Sequence, residues 1–213
     1  MLQWGVTIEE RRARDRVARR ELIMTTARKL AEAEGWDAVT TRRLSTEIEY
    51  SQPVLYKHFS GMDAIAEAVA IDGFGELAHT LSEARTAAAR PERALRRIAH
   101  AYIDFARDNP ALYDAMFTRA TNLRFAADDT PPALVAAFGE LRAALAPIVH
   151  HSDVDTVTEV VWAALHGLAT LNRSGRLRAD REFDRIELLA TQFSGDPTTV
   201  SESGHTLGGG RHV

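Results

Sequence analysis

The sequence of 213 residues contains no cysteine. This absence excludes disulfides, iron–sulfur clusters, cysteine-ligated zinc sites and cysteine nucleophiles. No segment approaches the roughly 18 consecutive apolar residues that span a membrane, and the first residues lack the apolar stretch of a secretory signal. We therefore expect a cytoplasmic protein without a membrane partner.

The chain also lacks a large excess of charge. Its 26 Lys and Arg and 30 Asp and Glu give a net charge of −4. The balance is uneven along the chain. Residues 1–60 hold 11 basic and 9 acidic residues, so the excess of acid lies in the remainder. A mildly basic N-terminal part on an acidic body indicates a polyanionic partner at that end.

Strand-like alternation is absent as well, whereas apolar residues recur at helical spacing nearly throughout the chain. Leu95, Ile98, Tyr102 and Phe105, for example, are separated by 3, 4 and 3 positions. This pattern predicts an all-α protein. We expect a three-helix domain at residues 10–60, a C-terminal helical bundle at 61–193 and a disordered, Gly- and Ser-rich tail at 194–213.

The predicted bounds of two helices are used below in locating the candidate functional residues. The first is expected to run from about residue 10 to residue 34, and a short one is expected at residues 111–118. The predicted inner face of the first helix consists of Val17, Leu22, Ala27, Leu30 and Ala31.

The most informative stretch is residues 35–60, with the sequence GWDAVTTRRLSTEIEYSQPVLYKHFS. Two short helices joined by a tight turn, after a longer first helix, form a helix-turn-helix. Leu44 and Ile48 are four residues apart, as are Leu55 and Phe59, so each pair faces inward. The side chains left on the surface suit DNA, because a major groove admits one helix.

Each predicted DNA contact has a chemical role. Gln52 has the donor and acceptor that pair with an adenine edge, and Val54 offers an apolar contact to a thymine methyl. Tyr56, Lys57 and His58 suit phosphates, and the start of the second helix offers free N–H groups and cations to phosphates as well. The complete predicted set is Thr40, Thr41, Arg42, Arg43, Ser51, Gln52, Pro53, Val54, Tyr56, Lys57 and His58.

These residues resemble the DNA-binding module of the tetracycline-repressor (TetR) family of bacterial transcriptional regulators. The family has a glycine after the first helix, a threonine at the start of the second and L-Y-x-H-F at the end of the third. Gly35, Thr40-Thr41 and the run Leu55–Phe59 match that pattern. The resemblance covers roughly residues 15–70.

A second and shorter similarity lies in the C-terminal part. The spacing Trp162-x-x-x-His166-Gly167 resembles a TetR subgroup with a Trp…His-Gly signature in its ligand-binding domain. The two resemblances imply a homodimeric repressor that binds a palindromic operator in double-stranded DNA. They also imply that a small-molecule effector enters the C-terminal core, shifts the fourth helix and releases the DNA.

The chain departs from the family pattern at two places. Ile48 and Glu49 stand where the family usually has a small residue and a glycine, and Met62 stands where it often has a lysine. If Glu49 adopts a left-handed conformation, we expect backbone strain of about 1–3 kcal/mol. We expect one phosphate contact fewer from Met62.

Trp162 and His166 lie four residues apart, and so on one face of a predicted helix. Two interpretations stay open: the pair lines a ligand cavity, or the indole is packed and the histidine is hydrogen-bonded inside the domain. The same alternatives apply to the other candidate ligand-binding residues, which are His100, Tyr113 and Phe117. The basic run Arg11–Arg20 is similarly open, either as a DNA contact or as a solvated helix.

No catalytic motif is present, since the sequence has no Walker loop, G-x-G-x-x-G or G-x-S-x-G. We predict no enzyme activity and no cofactor. His150, His151, Asp153 and Asp155 are metal-ligand types, but they lack the i, i+4 histidine pair of a helical zinc site, so we predict no metal. Two alternative classes are a small-molecule-binding protein or enzyme that uses the C-terminal cavity, and a helical adaptor that binds protein.

An apolar stripe at heptad-like spacing predicts the dimer interface. Together with the last helix, this stripe is expected to form a four-helix bundle between two subunits. The competing arrangement turns the stripe toward its own core and turns Trp162 and His166 toward the partner. The stripe consists of Val157, Val161, Ala164, Leu168 and Leu171, with Ile186 and Leu189 from the last helix.

Overall fold

The structure, a computed structural model, describes residues 7–119, 123–125 and 127–193. All regular elements within these ranges are helical, which confirms the predicted all-α class. The predicted tail at 194–213 lies outside the described residues. The helices are α1 (Ile8–Glu34), α2 (Thr41–Glu47), α3 (Gln52–Tyr56), α4 (Met62–Thr86), α5 (Pro91–Asp108), α6 (Pro110–Asp114), α7 (Pro132–Leu145), α8 (Val154–Arg173) and α9 (Glu182–Phe193).

Helix α1 begins earlier than the predicted start near Glu10, because Thr7 and Glu10 form a capping box. The Thr7 hydroxyl accepts a 3.2 Å hydrogen bond from the Glu10 N–H, and the Glu10 carboxylate accepts a 2.8 Å bond from the Thr7 N–H. The part of α1 that precedes Arg20 is exposed throughout. The helix therefore extends beyond the elements that pack against its second half.

The predicted inner face of α1 is partly wrong. Val17 is exposed because no element covers α1 before Arg20, and Leu22 is also exposed, on an uncovered face of the second half. Ile23, Ala27 and Leu30 are buried instead. They pack into the N-terminal core together with the four predicted inward residues Leu44, Ile48, Leu55 and Phe59, all of which are buried.

Helix α4 joins the N-terminal helices to the C-terminal bundle. It packs against α1 on one side and against α5 and α7 on the other, while α8 and α9 pack on α5. The buried side chains form one continuous core from Ile23 to Ile186. A displacement of α4 therefore affects both parts of the chain.

The short helix predicted at residues 111–118 differs in detail. It begins as α6 at Pro110. Proline is tolerated there because the first N–H groups of a helix have no hydrogen-bond partner within the helix. It then widens into a π-helical turn, Ala115–Arg119, a form of helix that is often found at functional sites.

The stripe predicted to form the dimer interface needs a correction. Val161 and Ile186 are almost fully buried within the protomer. Leu171, another member of the stripe, is exposed, as is Val160 beside this face. The remaining members are half-buried, namely Val157, Ala164, Leu168 and Leu189. Side chains already buried in their own subunit cannot form the seam with a partner.

Candidate nucleic-acid interface and ligand cavity

The turn between α2 and α3 is fixed by hydrogen bonds at both ends of α2. Thr40 is the N-cap, and its hydroxyl accepts a 3.1 Å hydrogen bond from the N–H of Arg43. At the other end the N–H of Tyr50 donates to the carbonyl oxygen of Ser45 at 3.0 Å, which is the pattern of a Schellman motif. Glu49 occupies the left-handed position of that motif, with φ at 57°. It is the one non-glycine residue with a positive φ in the ranges that the structure describes.

Helix α3 buries one face and presents the other to solvent. Leu55 packs inward, and Phe59 just beyond the helix does the same. Tyr56 points away from the core and is 53% exposed, although it is aromatic. Of the eleven predicted DNA-binding residues, Thr41, Val54 and His58 are half-buried, and the others are exposed, namely Thr40, Arg42, Arg43, Ser51, Gln52, Pro53, Tyr56 and Lys57.

The cations of this surface differ in their availability. Arg43 forms ion pairs with Glu34 at 3.1 Å and with Glu47 at 3.0 Å. Arg42 and Lys57 have no ion-pair partner among the described residues. A phosphate that binds Arg43 therefore competes with two carboxylates. A phosphate that binds Arg42 or Lys57 has no carboxylate to displace.

The imidazole of His58 lies among several positive charges. Burial, and then the charges of Arg19, Arg20 and Arg16, lower the pKa of His58 below its ordinary value of 6.5. The ring is therefore neutral at pH 7 and offers one N–H donor rather than a cation. Any phosphate contact from His58 is a neutral hydrogen bond.

A small apolar cavity of about 10 Å³ lies among the C-terminal helices. A second space, a groove of about 360 Å³ that opens to solvent, lies beside it and carries Asp155 and Glu159. The cavity and the groove share Phe125, Trp162 and two side chains of α7, which therefore separate the cavity from solvent. The described residues around the cavity carry no charge; they are Phe74, Leu77, Leu81, Tyr102, Phe125, Leu134, Ala137, Phe138, Leu141 and Trp162.

Three side chains form a hydrogen-bonded chain that begins at the cavity wall. The hydroxyl of Tyr102 lies 3.0 Å from the hydroxyl of Tyr113, which lies 2.7 Å from Nδ1 of His166. Burial raises the pKa of both tyrosines. Burial, with a smaller effect from Arg173, lowers the pKa of His166. All three groups are uncharged at pH 7, and the tautomer of the His166 imidazole determines whether Tyr113 or His166 donates in the bond between them.

Four of the five candidate ligand-binding residues lie together. The Phe117 ring centroid is 4.7 Å from that of His166 and 6.2 Å from that of Trp162. Tyr113 stacks on His166 at 5.7 Å. Trp162 thus lines the cavity, while His166 is hydrogen-bonded inside the domain. His100 lies apart, on the surface of α5, where it contacts Glu187 and Phe183 of α9.

The segment Pro110–Arg119 touches both the cavity region and the DNA-binding helices. One side carries Tyr113 and Phe117. On the other side the carbonyl oxygen of Ala111 accepts a buried 2.7 Å hydrogen bond from the indole Nε1 of Trp36, which follows α1. The segment therefore joins the surroundings of the cavity to the end of α1.

Two further contacts join this segment to the same region. The Glu32 carboxylate accepts hydrogen bonds of 3.0 Å from the backbone N–H groups of Ala111 and Leu112. Arg119 forms an ion pair with Asp37 at 2.8 Å. Glu32, Trp36 and Asp37 could not be identified as functional from the sequence, because their partners lie 75 to 82 positions away and no local pattern marks them.

Metal-binding clusters and membrane-spanning helices are both missing from the part of the chain that the structure describes. It contains no group of three or more His, Asp or Glu side chains placed to hold a metal ion. None of its helices has both the length and the apolar character needed to cross a membrane.

Two family descriptions match the chain in succession. Residues 23–69 match the family of bacterial regulatory proteins of the tetR type, and residues 95–193 match the tetracyclin repressor-like C-terminal domain. The predicted family likeness is thereby confirmed in both parts of the chain. Members of this family regulate transcription and are not enzymes, as the sequence predicts.

Individual proteins give the same result. The chain is 30% identical over 164 residues to the uncharacterised HTH-type transcriptional regulator Rv0681 of Mycobacterium tuberculosis, covering 73% of this chain and 71% of that protein. It is 31% identical over 104 residues to the uncharacterised HTH-type transcriptional regulator YobS of Bacillus subtilis. This match covers 49% of this chain and 54%, about half, of that protein. A solved structure of a protein of unknown function from Rhodococcus sp. RHA1 has a TM-score of 0.69 at 23% identity, and the match covers 82% of this chain and 92% of that one. This last likeness shows a shared fold.

Proposed function

Because the chain belongs to the TetR family of transcriptional regulators and carries its helix-turn-helix, we propose that it represses transcription from a palindromic operator and is released by a small molecule. The observation that carries the proposal is the exposed polar face of α3 beside the capped start of α2. Gln52 contacts a base edge, while Arg42, Lys57 and the free N–H groups of α2 bind phosphates. Residues 10–60 act as the DNA-binding domain and 61–193 as the effector and dimerisation domain, in the cytoplasm where the operator lies.

The operator-bound form is a homodimer joined through α8 and α9. Val160 is 51% exposed and Leu171 is 38% exposed, and the two lie within about 20° of each other around α8. Ala164 and Gly167 lie between Val160 and Leu171 along the helix. Because both residues are small, they allow a second helix to approach closely. Leu188 on α9 is 69% exposed. A second copy of the chain covers these apolar side chains and gives the two-fold symmetry that a palindrome requires.

The effector is an uncharged, mainly apolar molecule. The cavity has room for about one water molecule, with a volume of about 10 Å³, so a ligand must enlarge it toward the roughly 300 Å³ of ordinary ligand pockets. Outward movement of Trp162 and Phe125 joins it to the neighbouring groove. No charged group among the described residues that line the cavity compensates an anion. Glu159 at the groove repels one, while Asp155 there is paired with Arg142. The hydroxyl of Tyr102 offers a hydrogen bond to a neutral polar group of the ligand.

Release follows from the segment Pro110–Arg119, which lies between the cavity and Trp36. A ligand that displaces Trp162 also displaces Phe117 and the hydrogen-bonded pair of Tyr113 and His166 beside it. The displacement reaches the helix-turn-helix through the bond from Trp36. The ligand must bind more tightly to the form whose two recognition helices do not match the operator spacing.

Selection of bound duplexes from a random pool tests the DNA-binding part of the proposal. The expected result is an inverted repeat with half-site centres about 34–36 Å apart, or a multiple of that distance. Gln52→Ala should cost about 1–3 kcal/mol on the selected duplex and relax the preference at one position. Lys57→Ala should weaken binding to selected and unrelated duplexes alike and reduce the salt dependence by about 0.9 per phosphate. A selected sequence without an inverted repeat contradicts the proposal.

A release assay on the selected duplex tests the effector. Neutral aromatic and aliphatic compounds should release the DNA more effectively than carboxylates of the same carbon skeleton. Trp162→Ala opens the wall between the cavity and the groove, and it should change which compounds act. Release by carboxylates and not by their neutral counterparts contradicts the proposed effector class.

A further inference from the structure

A row of arginines lies on one face of the first half of α1. Arg12, Arg16, Arg19 and Arg20, here called the arginine stripe, fall within about 100° of one another around the helix axis at 3.6 residues per turn. Glu9, in the first turn, is the acidic residue on the same arc, and the other acidic residues of this half lie outside it. The face is therefore strongly basic although the helix as a whole is of mixed charge.

The arginine stripe is continuous with the surface of α3. Nη1 of Arg20 donates a 2.5 Å hydrogen bond to the carbonyl oxygen of His58, and its guanidinium lies 4.1 Å from the ring centroid of Phe59. These contacts fix α1 against the end of the recognition helix. Arg16, Arg19 and Arg20 surround the imidazole of His58 together with Lys57, and their charges contribute to the lowered pKa of that ring.

The exposed members of the stripe have no partner within the described part of the protomer. Arg12, Arg16 and Arg19 are exposed, and none forms an ion pair with a described residue. By contrast, Arg85 and Arg142 join helices elsewhere and are paired with Glu140 and Asp155 at 2.6 and 2.5 Å. Unpaired guanidinium groups in a row repel one another, and a polyanion relieves that repulsion.

The stripe lies outside the part of the chain that matches the family of DNA-binding regulators, since that match begins at residue 23. The capping box at Thr7 extends α1 well before that point. The stripe therefore precedes the matched helix-turn-helix segment on the same helix.

We propose that the arginine stripe is a second DNA-binding surface, which binds backbone phosphates beside the bases that α3 contacts. Arg12 lies about 12 Å from Arg20 along the helix axis, which equals the axial rise of three to four nucleotides of one strand at about 3.4 Å each. Arginine suits this role because its planar fork binds phosphate oxygens in pairs. The inference rests on the proposed function, because the stripe lies beside DNA only if α3 binds that DNA.

Two double variants of the full-length chain test the inference. Arg12→Ala/Arg16→Ala removes two charges from the stripe, while Arg11→Ala/Arg14→Ala removes two charges from the same turns on other faces. Arg20 is left intact because it holds α1 against α3. Circular dichroism of both variants verifies that the helix content is unchanged.

Affinity is measured against salt concentration on two probes: the duplex selected from the random pool, and a mixed-sequence duplex of equal length. The stripe variant should bind both probes more weakly, and its salt slope should fall by about 0.9 for each phosphate that it no longer binds, or about 2 per protomer. The control variant should keep the slope of the unaltered protein. Equal slopes in the stripe variant and the unaltered protein, or an equally large decrease in the control, overturn the inference.

Shortening the selected duplex gives a second measurement. Removal of the outermost base pairs on both ends should weaken binding of the unaltered protein and leave the stripe variant's affinity unchanged. If the unaltered protein binds the selected duplex but both proteins ignore the shortening, the inference is wrong while the proposed function stands. If the unaltered protein binds no duplex at all, both fail.

Discussion

A Cβ atom on Gly73 would lie 2.7 Å from Cδ1 of Leu112, which is closer than real side chains approach. Glycine is required here for space, because it lets α4 lie directly against α6. Leu112 is fully buried and follows Ala111, the residue that Trp36 binds. The contact therefore places α4 against the same segment that joins the cavity to the DNA-binding helices.

Gly73→Ala should lower the free energy of unfolding by about 1–3 kcal/mol, the usual cost of overpacking. The added methyl group meets Leu112 and also Sδ of Met116 at 2.9 Å, and both side chains are buried with little room to move. Urea unfolding monitored by circular dichroism measures the change.

Gly75→Ala is the matched control, since it lies on the same helix and a Cβ atom there meets nothing within 4 Å. It should raise stability by about 0.5–1 kcal/mol through the higher helix propensity of alanine. Equal effects of the two substitutions would show that α4 and α6 do not pack as closely as described.

Glu49→Gly should raise the free energy of unfolding by about 1 kcal/mol. The left-handed backbone of Glu49 stores strain of about 1–3 kcal/mol, and the added freedom of glycine in the unfolded chain offsets about 0.4–1 kcal/mol of the gain. The substitution also removes a negative charge next to the DNA-binding surface, so affinity for the selected duplex should increase.

Glu49→Gln separates the two effects, because it removes the charge and keeps the strained side chain. It should increase DNA affinity without increasing stability. If Glu49→Gln stabilises the protein as much as Glu49→Gly does, repulsion between charges accounts for the gain and backbone strain does not.

The helix-turn-helix could be predicted because its determinants are local in sequence. The spacing of Leu44 and Ile48 and of Leu55 and Phe59 specifies which faces are buried, and all four residues are buried as expected. The conformation of Glu49 is local in the same sense, since a helix that ends in a Schellman motif needs a left-handed residue at that position.

Contacts between distant residues could not be predicted in the same way. Periodicity places Val17 on an inner face, but it does not reveal that no other helix covers α1 before Arg20. It also could not place His100, which contacts α9 and not the cavity. The bond from Trp36 to Ala111 depends on how α1 and α6 meet, and no spacing within either helix encodes it.

The stability of the protein should decrease as the pH falls through the ordinary pKa of histidine, in part because of His166. Burial, and then Arg173, hold the pKa of His166 below 6.5 in the folded state. Between the folded pKa and 6.5 the unfolded chain binds more protons than the folded chain, so lowering the pH favours unfolding in that window.

His166→Gln removes this titration, and urea unfolding between pH 7.5 and about 5 measures the difference. The gap in stability between the unaltered protein and the variant should narrow as the pH falls below about 6.5. His151→Gln, at an exposed histidine, is the control for the loss of an imidazole elsewhere on the chain. Parallel curves for the unaltered protein and His166→Gln would contradict the inferred pKa shift.

Leu188→Glu should separate the proposed homodimer into folded monomers. The side chain is 69% exposed in the protomer, so a glutamate there costs little when the chain is alone. In the dimer it places a charge against apolar surface on both sides of the two-fold axis, where burial of each leucine contributes roughly 1.5–3 kcal/mol. Affinity for the palindromic duplex should fall by roughly 100-fold or more, because the two half-sites no longer bind as a linked pair.

Val135→Glu is the matched control, because Val135 is also an exposed apolar residue, at 57%, but lies on α7. Sedimentation and circular dichroism should show a helical monomer for Leu188→Glu and a helical dimer for Val135→Glu. Ile186→Glu, two positions from Leu188 but buried in the protomer, should instead reduce the helix content. If Leu188→Glu remains a dimer and Val135→Glu does not, the two subunits meet through α7 and the proposed interface of α8 and α9 is wrong.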